Sequence, residues 1–513
     1  MTAMLRTRST NDLPPKAKLQ ADIMASEVKQ SLKSDNAFCE LTYRKKPWLF
    51  GFFGEKDGTS DAKYYSLKSE ITAFASEYYR LFTDGHSPKY RSVYTRRRAL
   101  VFGTYSTHYH LFDDYVSEGF ITQKIENALT LEQVFIFLRS LTKYDVPFSG
   151  PYVWFYYGEV DKKNHCAHAR KQINEWYERA IQSTHEKLDP YKRVMEESGF
   201  LALKAKFLDY LEKIKQASLL MLAEYETEIT QECNFSAYEI NEKLRAYYNS
   251  TLEDFCQKQL DPIKVELIKN YEHYLLKNGL PEIMAVSYAL GEWSFKARDI
   301  LVDTKEYKIL KIDHERCLWE ISHSLLVDIG LYEPKSRAAI TNHQSLSSQD
   351  IDEFPKRTNP PRFWPSREDD NFYPDWFHKL LDQEEFKKRA YTTWLAIVVT
   401  PDQTIRSLGT LFFKPSYSEK IIEHVVRRKN NLLRALKHSK QFAEFMMLIP
   451  ETEIECLVKA HNKRWHKNKD VCVPLEGMKQ LLSELKDDLQ RRKNKCDSSI
   501  NHLYTIEAPR LYK

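Results

Sequence analysis

The chain has 513 residues, of which 42% are hydrophobic and 13% aromatic, so it is long and apolar enough for two or more well-filled cores. Lys and Arg (77) nearly balance Asp and Glu (72), and the net charge of +5 gives no reason to expect a specific nucleic-acid partner. The eight cysteines form no Cys-x-x-Cys pair, which argues against a disulfide scaffold or a zinc motif. The longest strongly apolar run, Trp394–Val399, is too short for a transmembrane segment, and residues 1–18 are too polar for a Sec signal peptide.

The N-terminal part of the chain predicts a small region of strands and one helix. Residues 1–35 combine charge, Ser and a Pro pair, and we expect a flexible leader there. A helix is predicted over 69–82, because Ile71, Phe74 and Tyr78 recur at helical spacing. Strands are predicted at 41–53, 63–68, 91–94 and 99–102.

The rest of the chain predicts helices, interrupted by one hairpin and one Pro-rich loop. After Tyr105 the pattern is largely helical as far as Leu280. Two short apolar runs at 300–302 and 309–312 then predict a β-hairpin, and residues 345–376 predict a long surface loop. The helices are predicted at 131–141, 168–184, 188–225, 237–259, 262–278, 377–399, 418–438, 440–448, 452–465 and 475–494.

Two acidic residues lie at the ends of the predicted hairpin. Asp299 precedes its first strand and Asp313 follows its second, so the hairpin would bring both carboxylates to one end. Carboxylate oxygens are ligands of Mg²⁺, and the pair is a candidate metal site. The alternative interpretation is an ordinary hairpin with solvated acids at its ends.

The spacing of the two acids is close to that of a protein-kinase catalytic loop. In that loop a catalytic Asp is followed five residues later by a metal-binding Asn, and a strand then leads to a second metal-binding Asp. The matching positions here are Ser294, Asp299 and Asp313. The first position therefore lacks the carboxylate that accepts the substrate proton.

Four segments resemble the atypical kinase-like effectors that Legionella bacteria inject into host cells, distant relatives of the HipA and phosphoinositide-4-kinase folds. Residues 69–74 resemble the helix whose Glu pairs with a strand lysine, and residues 88–93 resemble the strand behind it. Residues 291–318 resemble the catalytic loop and metal strand, and residues 386–401 a helix and turn common in this group. No G-x-G-x-x-G loop is present; Gly51, Gly54 and Gly58 are the glycines that could cover phosphates.

The resemblance implies a bilobal, kinase-like α+β fold with a small β-rich N-lobe and a large, mostly helical C-lobe. The implied domains are a flexible leader (1–35), a kinase-like N-lobe (36–104), a helical C-lobe with the metal-binding hairpin at 299–313 (105–342), a Pro-rich loop (343–376) and a C-terminal helical region (377–513).

The resemblance also implies roles for individual residues. Glu70 would position a lysine against the phosphates of ATP, with Lys63 preferred because it opens the predicted strand and Lys68 as the second choice. Asp313 would bind Mg²⁺ (or Mn²⁺), Asp299 would take the second metal position, and Glu292 could replace Ser294 as the base.

The function implied is an ATP- and Mg²⁺-dependent phosphotransferase, delivered by a type IV secretion system into the host cytoplasm and acting on a host protein, lipid or inositol phosphate. One alternative is a pseudokinase whose helical additions, at 160–280 and 376–495, bind a host partner. Another is a kinase-fold enzyme that transfers AMP or glutamate. The basic clusters at 96–98 and 427–429 are either solvated faces or sites for an inositol polyphosphate or anionic lipid.

Overall fold

A computed structural model of the chain shows an α+β protein that forms two compact units. The first unit contains Met1–Glu126, Leu276–Ile300 and Ile309–Lys513, and the second contains Asn127–Leu275 and Leu301–Lys308. The structure describes residues 16, 18–19, 28–31, 38–43, 46–52, 62–102, 109–125, 128–140, 162–189, 192, 197–229, 237–292, 295–303, 308–314, 317–318, 346–355, 373–465, 476, 479–480 and 482–491.

The first unit contains a six-stranded sheet with the strand order β1-β5-β6-β4-β3-β2. The pairs are antiparallel except for β1 and β5, which run parallel. The strands are β1 (Lys18–Leu19), β2 (Val28–Ser31), β3 (Phe38–Tyr43), β4 (Lys46–Phe52), β5 (Tyr90–Phe102) and β6 (Tyr109–Gln123). The predicted strands at 91–94 and 99–102 are one continuous strand, and β6 is a strand where the sequence predicted helical structure.

Helix α1 (Ala62–Phe82) packs on β5 and β6. The predicted strand at 63–68 is wrong, because these residues form the first turns of this helix. Their aromatic residues favour a strand locally, but Leu67 continues the buried stripe of Ile71, Phe74 and Tyr78 at a spacing of three to four residues. Burial of one helical face therefore overrides the local preference of the segment.

The second unit is mostly helical. It contains α2 (Leu131–Ser140), α3 (Lys162–Leu188), α4 (Glu197–Ile229) and α5 (Ala237–Phe255), followed by a π-helical turn (Cys256–Leu260) and α6 (Asp261–Lys277), whose last two residues belong to the first unit. The predicted helix at 188–225 corresponds to α4, in which Phe207, Leu211, Ile214 and Leu222 are buried. The π turn has a local cause: Pro262 has no N–H to donate and would clash with the preceding turn of an α-helix.

A small sheet contains the predicted hairpin. Its strands are β7 (Ala128–Thr130), β8 (Ile300–Asp303) and β9 (Lys308–Lys311), in the order β7-β8-β9. The N–H of Lys311 donates to the carbonyl oxygen of His86 at 2.9 Å, and that of Ile309 to Asn278 at 3.3 Å. The predicted hairpin is therefore confirmed, and loop residues of the first unit satisfy these two backbone groups of β9.

The other helices of the first unit include one that carries Trp394, a fully buried side chain of the core. Its ring lies 4.6 Å from that of Phe354 and 5.4 Å from that of Tyr288, and its indole N–H donates to the carbonyl oxygen of Ala285 at 2.8 Å. The helices are α7 (Leu280–Leu290), α8 (Ser348–Asp352), α9 (Asp375–Leu381), α10 (Glu384–Val399), α11 (Asp402–Phe412), α12 (Pro415–His438), α13 (Lys440–Leu448) and α14 (Glu451–Trp465). Within the described residues, no helix combines the length and apolar character needed to cross a membrane.

Arg428 of α12 closes the C-terminal end of α7. Its guanidinium group donates to the carbonyl oxygens of Tyr288 and Ala289, each at 2.9 Å. Gly291 follows the helix at φ 63°, and a Cβ added there would lie 2.8 Å from the guanidinium carbon. Glycine is required at this position for two reasons: the backbone is left-handed, and Arg428 approaches too closely to leave room for a Cβ.

Replacing Gly291 with alanine is expected to lower the free energy of unfolding by about 1–3 kcal/mol, because Ala is strained at positive φ and would displace the guanidinium group. Denaturant melts measure the change. The cost of Gly291→Ala should be smaller in an Arg428→Met background, where the steric conflict is relieved. An equal cost in both backgrounds would show that Arg428 does not constrain this position.

Candidate functional site

The base of the hairpin brings the segments of Asp299 and Asp313 together. Asp299 ends a short 3₁₀ turn (Ala297–Asp299), and its carbonyl oxygen accepts the N–H of Ile312 at 2.8 Å. Asp299 is buried, whereas Asp313 is exposed and has a left-handed backbone at φ 56°. The predicted pair of acids is thus held at one end of the hairpin, one in the protein and one at its surface.

The surroundings of Asp299 disfavour its charge. Burial is the largest influence and raises the pKa of Asp299 to about 7, with Asp313 and Glu292 adding repulsion. Lys311 and Arg298 attract the carboxylate and partly oppose this rise in pKa. The electrostatic influence of Asp313 shows that the two predicted ligands are close enough to interact.

Lys311, which the sequence analysis does not propose as a site residue, interacts with both of these acids. The side chain of Lys311 is fully buried, and its Nζ lies 2.8 Å from Oε1 of Glu292. The same ammonium donates to the carbonyl oxygens of Ile312 at 2.6 Å and Asp313 at 2.9 Å. Burial by itself lowers the pKa of Lys311, but attraction by Glu292, Asp299 and Asp313 outweighs it and raises the pKa, so the ammonium stays charged.

Glu292 is held in place from three elements. Its N–H donates to the carbonyl oxygen of Ser287 at 3.0 Å as part of the α7 C-terminal cap, and its Oε2 accepts the hydroxyl of Tyr79 at 2.7 Å. Tyr79 in turn makes a short hydroxyl contact with Ser287. Burial raises the pKa of Glu292, and Lys311 opposes the rise. With no exposed side-chain surface, Glu292 is poorly placed for the predicted role of a base that takes a proton from a substrate.

His314 closes the buried side of the site. Its Nε2 lies 2.8 Å from the hydroxyl of Ser87, and its ring contacts those of Tyr79 and Tyr90 at 4.8 and 5.5 Å. Burial and the neighbouring Lys311 charge lower the pKa of His314 well below its usual value. A neutral imidazole therefore adds no second positive charge beside Lys311.

The predicted ATP-binding residues lie on one helix. Lys63, Lys68 and Glu70 are all in α1, so the strand on which the choice of Lys63 depended does not exist. Glu70 is buried and accepts the N–H of Lys414 at 3.1 Å, which caps the start of α12. Their roles toward ATP remain predictions. Ser294, Gly54 and Gly58 lie outside the described residues.

The basic cluster at 427–429 is not a solvated patch. Arg428 is buried against the end of α7, and Lys429 is buried with its Nζ donating to the carbonyl oxygen of Thr400 at 2.8 Å and paired with Asp402. Arg427 alone is exposed. This cluster is therefore not available to bind an anionic lipid. In the other cluster, the strand register places Arg97 opposite Asp114 and Arg98 opposite Asp113.

The donors present suit a cation that prefers oxygen. Asp299 and Asp313 are two carboxylates, and Mg²⁺ is commonly bound by one or two carboxylates with water and substrate phosphates completing its shell. Within the described part of the chain, no group of three or more His, Cys, Asp or Glu side chains could enclose a metal. The pair therefore fits a cation that is shared with a phosphate ligand better than a cation held by protein alone.

The comparisons with known proteins return no match: neither protein-family models, nor curated proteins, nor solved structures are significantly similar to this chain.

Replacing Asp299 with asparagine is expected to stabilise the protein at pH 8 by on the order of 2–4 kcal/mol, the free energy that corresponds to a pKa shift from 3.8 to about 7. A carboxyl whose pKa is raised on folding loses stability as pH rises from its unfolded to its folded pKa, and Asn removes this loss. The stability gained by Asp299→Asn should therefore be larger at pH 8 than at pH 5 in thermal melts. Equal melting temperatures of both proteins at the two pH values would show that Asp299 ionises freely.

Proposed function

We propose that this protein is an ATP- and Mg²⁺-dependent phosphotransferase of the atypical kinase-like class. The observation that supports the proposal most directly is the hairpin base, where Asp299 and Asp313 interact electrostatically beside a buried lysine–glutamate pair. The order of the elements adds support: a helix ends, a short loop leads to the first acid, and two strands lead to the second. A bilobal kinase-like fold is part of the proposal.

The chain's own groups would act mainly by positioning and by charge. Asp299 and Asp313 would hold a Mg²⁺ ion, which when bound neutralises phosphate charge and orients the transferred group. The charge of Lys311 lowers the repulsion between the carboxylates. Tyr79 donates to Glu292 and contacts Ser287, and so holds Glu292 beside Lys311. Phosphoryl transfer depends more on such positioning than on a strong base, so Ser294 at the base position is compatible with slow transfer.

The substrate and the setting rest on the resemblance to Legionella effectors. It favours a host protein, lipid or inositol phosphate as acceptor, and delivery by a type IV secretion system into the host cytoplasm. AMP or glutamate transfer by the same site would give a different adduct mass on the acceptor, which mass spectrometry distinguishes from phosphate.

Replacing Asp313 with alanine should abolish Mn²⁺- or Mg²⁺-dependent transfer of labelled γ-phosphate, because one of the two cation ligands is lost. The measurement is self-labelling and labelling of host-cell extract by the purified chain. Asp254→Ala is the matched control, since Asp254 is an exposed acid on α5 that pairs with its neighbour Lys258. The control variant should label as wild type does, and transfer that survives Asp313→Ala would overturn the proposal.

The second candidate function is that of a pseudokinase, which would bind a nucleotide or a partner protein without transferring phosphate. The contacts of Glu70 and Glu292 favour it, because one carboxylate caps α12 and the other is sealed against Lys311. The lysine held by Glu292 is fully buried and therefore does not face an open phosphate site.

Thermal stability in the presence of ATP and Mn²⁺ separates these functions. A ligand at a hundredfold its Kd that binds only the folded state raises the free energy of unfolding by about 2.7 kcal/mol. Stabilisation together with transfer supports the enzyme, and stabilisation without transfer supports a nucleotide-binding pseudokinase. If ATP stabilises the protein with neither Mn²⁺ nor Mg²⁺, the protein does not bind nucleotide. The helical additions would then be the candidate surface for binding a partner.

A further inference from the structure

The ammonium group of Lys311 is surrounded by oxygen atoms of its own chain. Two backbone carbonyls, of Ile312 and Asp313, and Oε1 of Glu292 all lie within 2.9 Å of Nζ. These three oxygens match in number the three N–H donors of an ammonium group. The side chain has no exposed surface. Such an oxygen shell is what a small bound cation would also require.

The charges around the ammonium group also point to a cation function. Three carboxylates, those of Glu292, Asp299 and Asp313, act on Lys311 and favour its charged form. Arg298 also lies beside Asp299, with its Nε 3.9 Å from Oδ1, but its side chain is mostly exposed. The ammonium of Lys311 is the positive group enclosed by oxygen atoms, and it occupies the space that a second cation would need.

Lys311 also fixes the backbone from which Asp313 projects. The N–H of Ile312 is held by Asp299, and the carbonyl oxygens of Ile312 and Asp313 are held by the ammonium. Asp313 lies between these contacts with a left-handed backbone, which is uncommon outside glycine although Asp adopts it more often than most residues. The lysine therefore supports the unusual conformation at the exposed carboxylate.

We propose that Lys311 is a positioning residue that acts as a tethered internal cation: it fixes Asp313 relative to Asp299 and limits the site to one divalent cation. The inference deepens the proposed function and rests on it in one respect, that Asp299 and Asp313 hold the cation. It assigns Lys311 no contact with substrate or phosphate. The lysine that meets the phosphates of a nucleotide would be a different one.

The test compares Mn²⁺ binding and thermal stability of four proteins. They are wild type, Lys311→Met, Lys311→Met with Glu292→Gln, and Lys429→Met. The last is the matched control, because Lys429 is also a buried lysine that donates to a carbonyl oxygen and pairs with a carboxylate. Electron paramagnetic resonance of free Mn²⁺ gives the number of bound ions and their Kd, and melts with and without Mn²⁺ give stability.

Wild type is expected to bind one Mn²⁺. Lys311→Met should melt at a lower temperature without metal and recover stability with Mn²⁺, binding a second ion in the vacated oxygen shell. Adding Glu292→Gln removes the unpaired charge, so the double variant should regain stability without metal and bind no second ion. Its remaining ion should bind about 10–100-fold more weakly than in wild type, as is usual when a group that orients a metal ligand is lost. Lys429→Met should lose stability and show wild-type Mn²⁺ binding.

The inference is overturned if the double variant binds one Mn²⁺ with the wild-type Kd, because Lys311 would then be only the structural partner of Glu292. It is also overturned if Lys429→Met gains the same Mn²⁺-dependent stability as Lys311→Met. If Lys311→Met does not fold under any condition, the Kd of the double variant decides. Failure of the proposed function is distinct: wild type would then bind Mn²⁺ but transfer no labelled γ-phosphate, and the changes in Mn²⁺ affinity among the variants would still decide the role of Lys311.

Discussion

The buried ion pair of Lys311 and Glu292 is the interaction on which the candidate site depends. Both side chains are fully buried, and Nζ and Oε1 are 2.8 Å apart. Removing one partner of such a pair leaves a charge without compensation and commonly costs about 3–5 kcal/mol. Replacing both partners with apolar residues is often neutral or stabilising, so stability alone does not explain why a protein would keep the pair. A second reason to keep the pair is that the ammonium also donates to the backbone carbonyls of Ile312 and Asp313. These hydrogen bonds help to fix the position of the neighbouring acid.

The position of Glu292 is set by residues far from it in the sequence. Helix α7 must end at Leu290 for Glu292 to turn inward, and Gly291 provides the left-handed residue that ends it. Arg428 occupies the space next to Gly291 and donates hydrogen bonds to two of the last carbonyl oxygens of the helix. The buried core around Trp394 contacts the same helix through Ala285 and Tyr288. The site is therefore attached to a helix that is packed into the core of the first unit, as precise positioning of functional groups requires.

The sequence predicted the local features of this fold well and its long-range contacts poorly. The buried face of α1, most of the predicted helices and the hairpin at 300–312 follow from periodicities of two and 3.6 residues. Strand β6 was missed because Tyr109–Gln123 contains three acidic residues and no clean alternation, and it is defined by its pairing with β4 and β5. Arg428 reads as part of a surface cluster, since only the three-dimensional contact with α7 buries it. The signal for Lys311 was present, because a lysine inside the apolar run Ile309–Ile312 implies a buried partner, although the run does not say which one.

The alternative of an ordinary hairpin with solvated acids fits Asp313 but not Asp299. A solvated acid keeps a low pKa and costs nothing to place, whereas burial raises the pKa of Asp299 to about 7 and two further carboxylates repel it. Asp313 has a left-handed backbone at φ 56°, a conformation that Asp adopts more readily than most non-glycine residues. An acid whose charged form is disfavoured by burial, next to a second acid and a lysine with no exposed surface, is the kind of perturbed cluster that is common at functional sites. The arrangement is explained if a cation spends part of its time between the two carboxylates, since its charge would turn their mutual repulsion into binding.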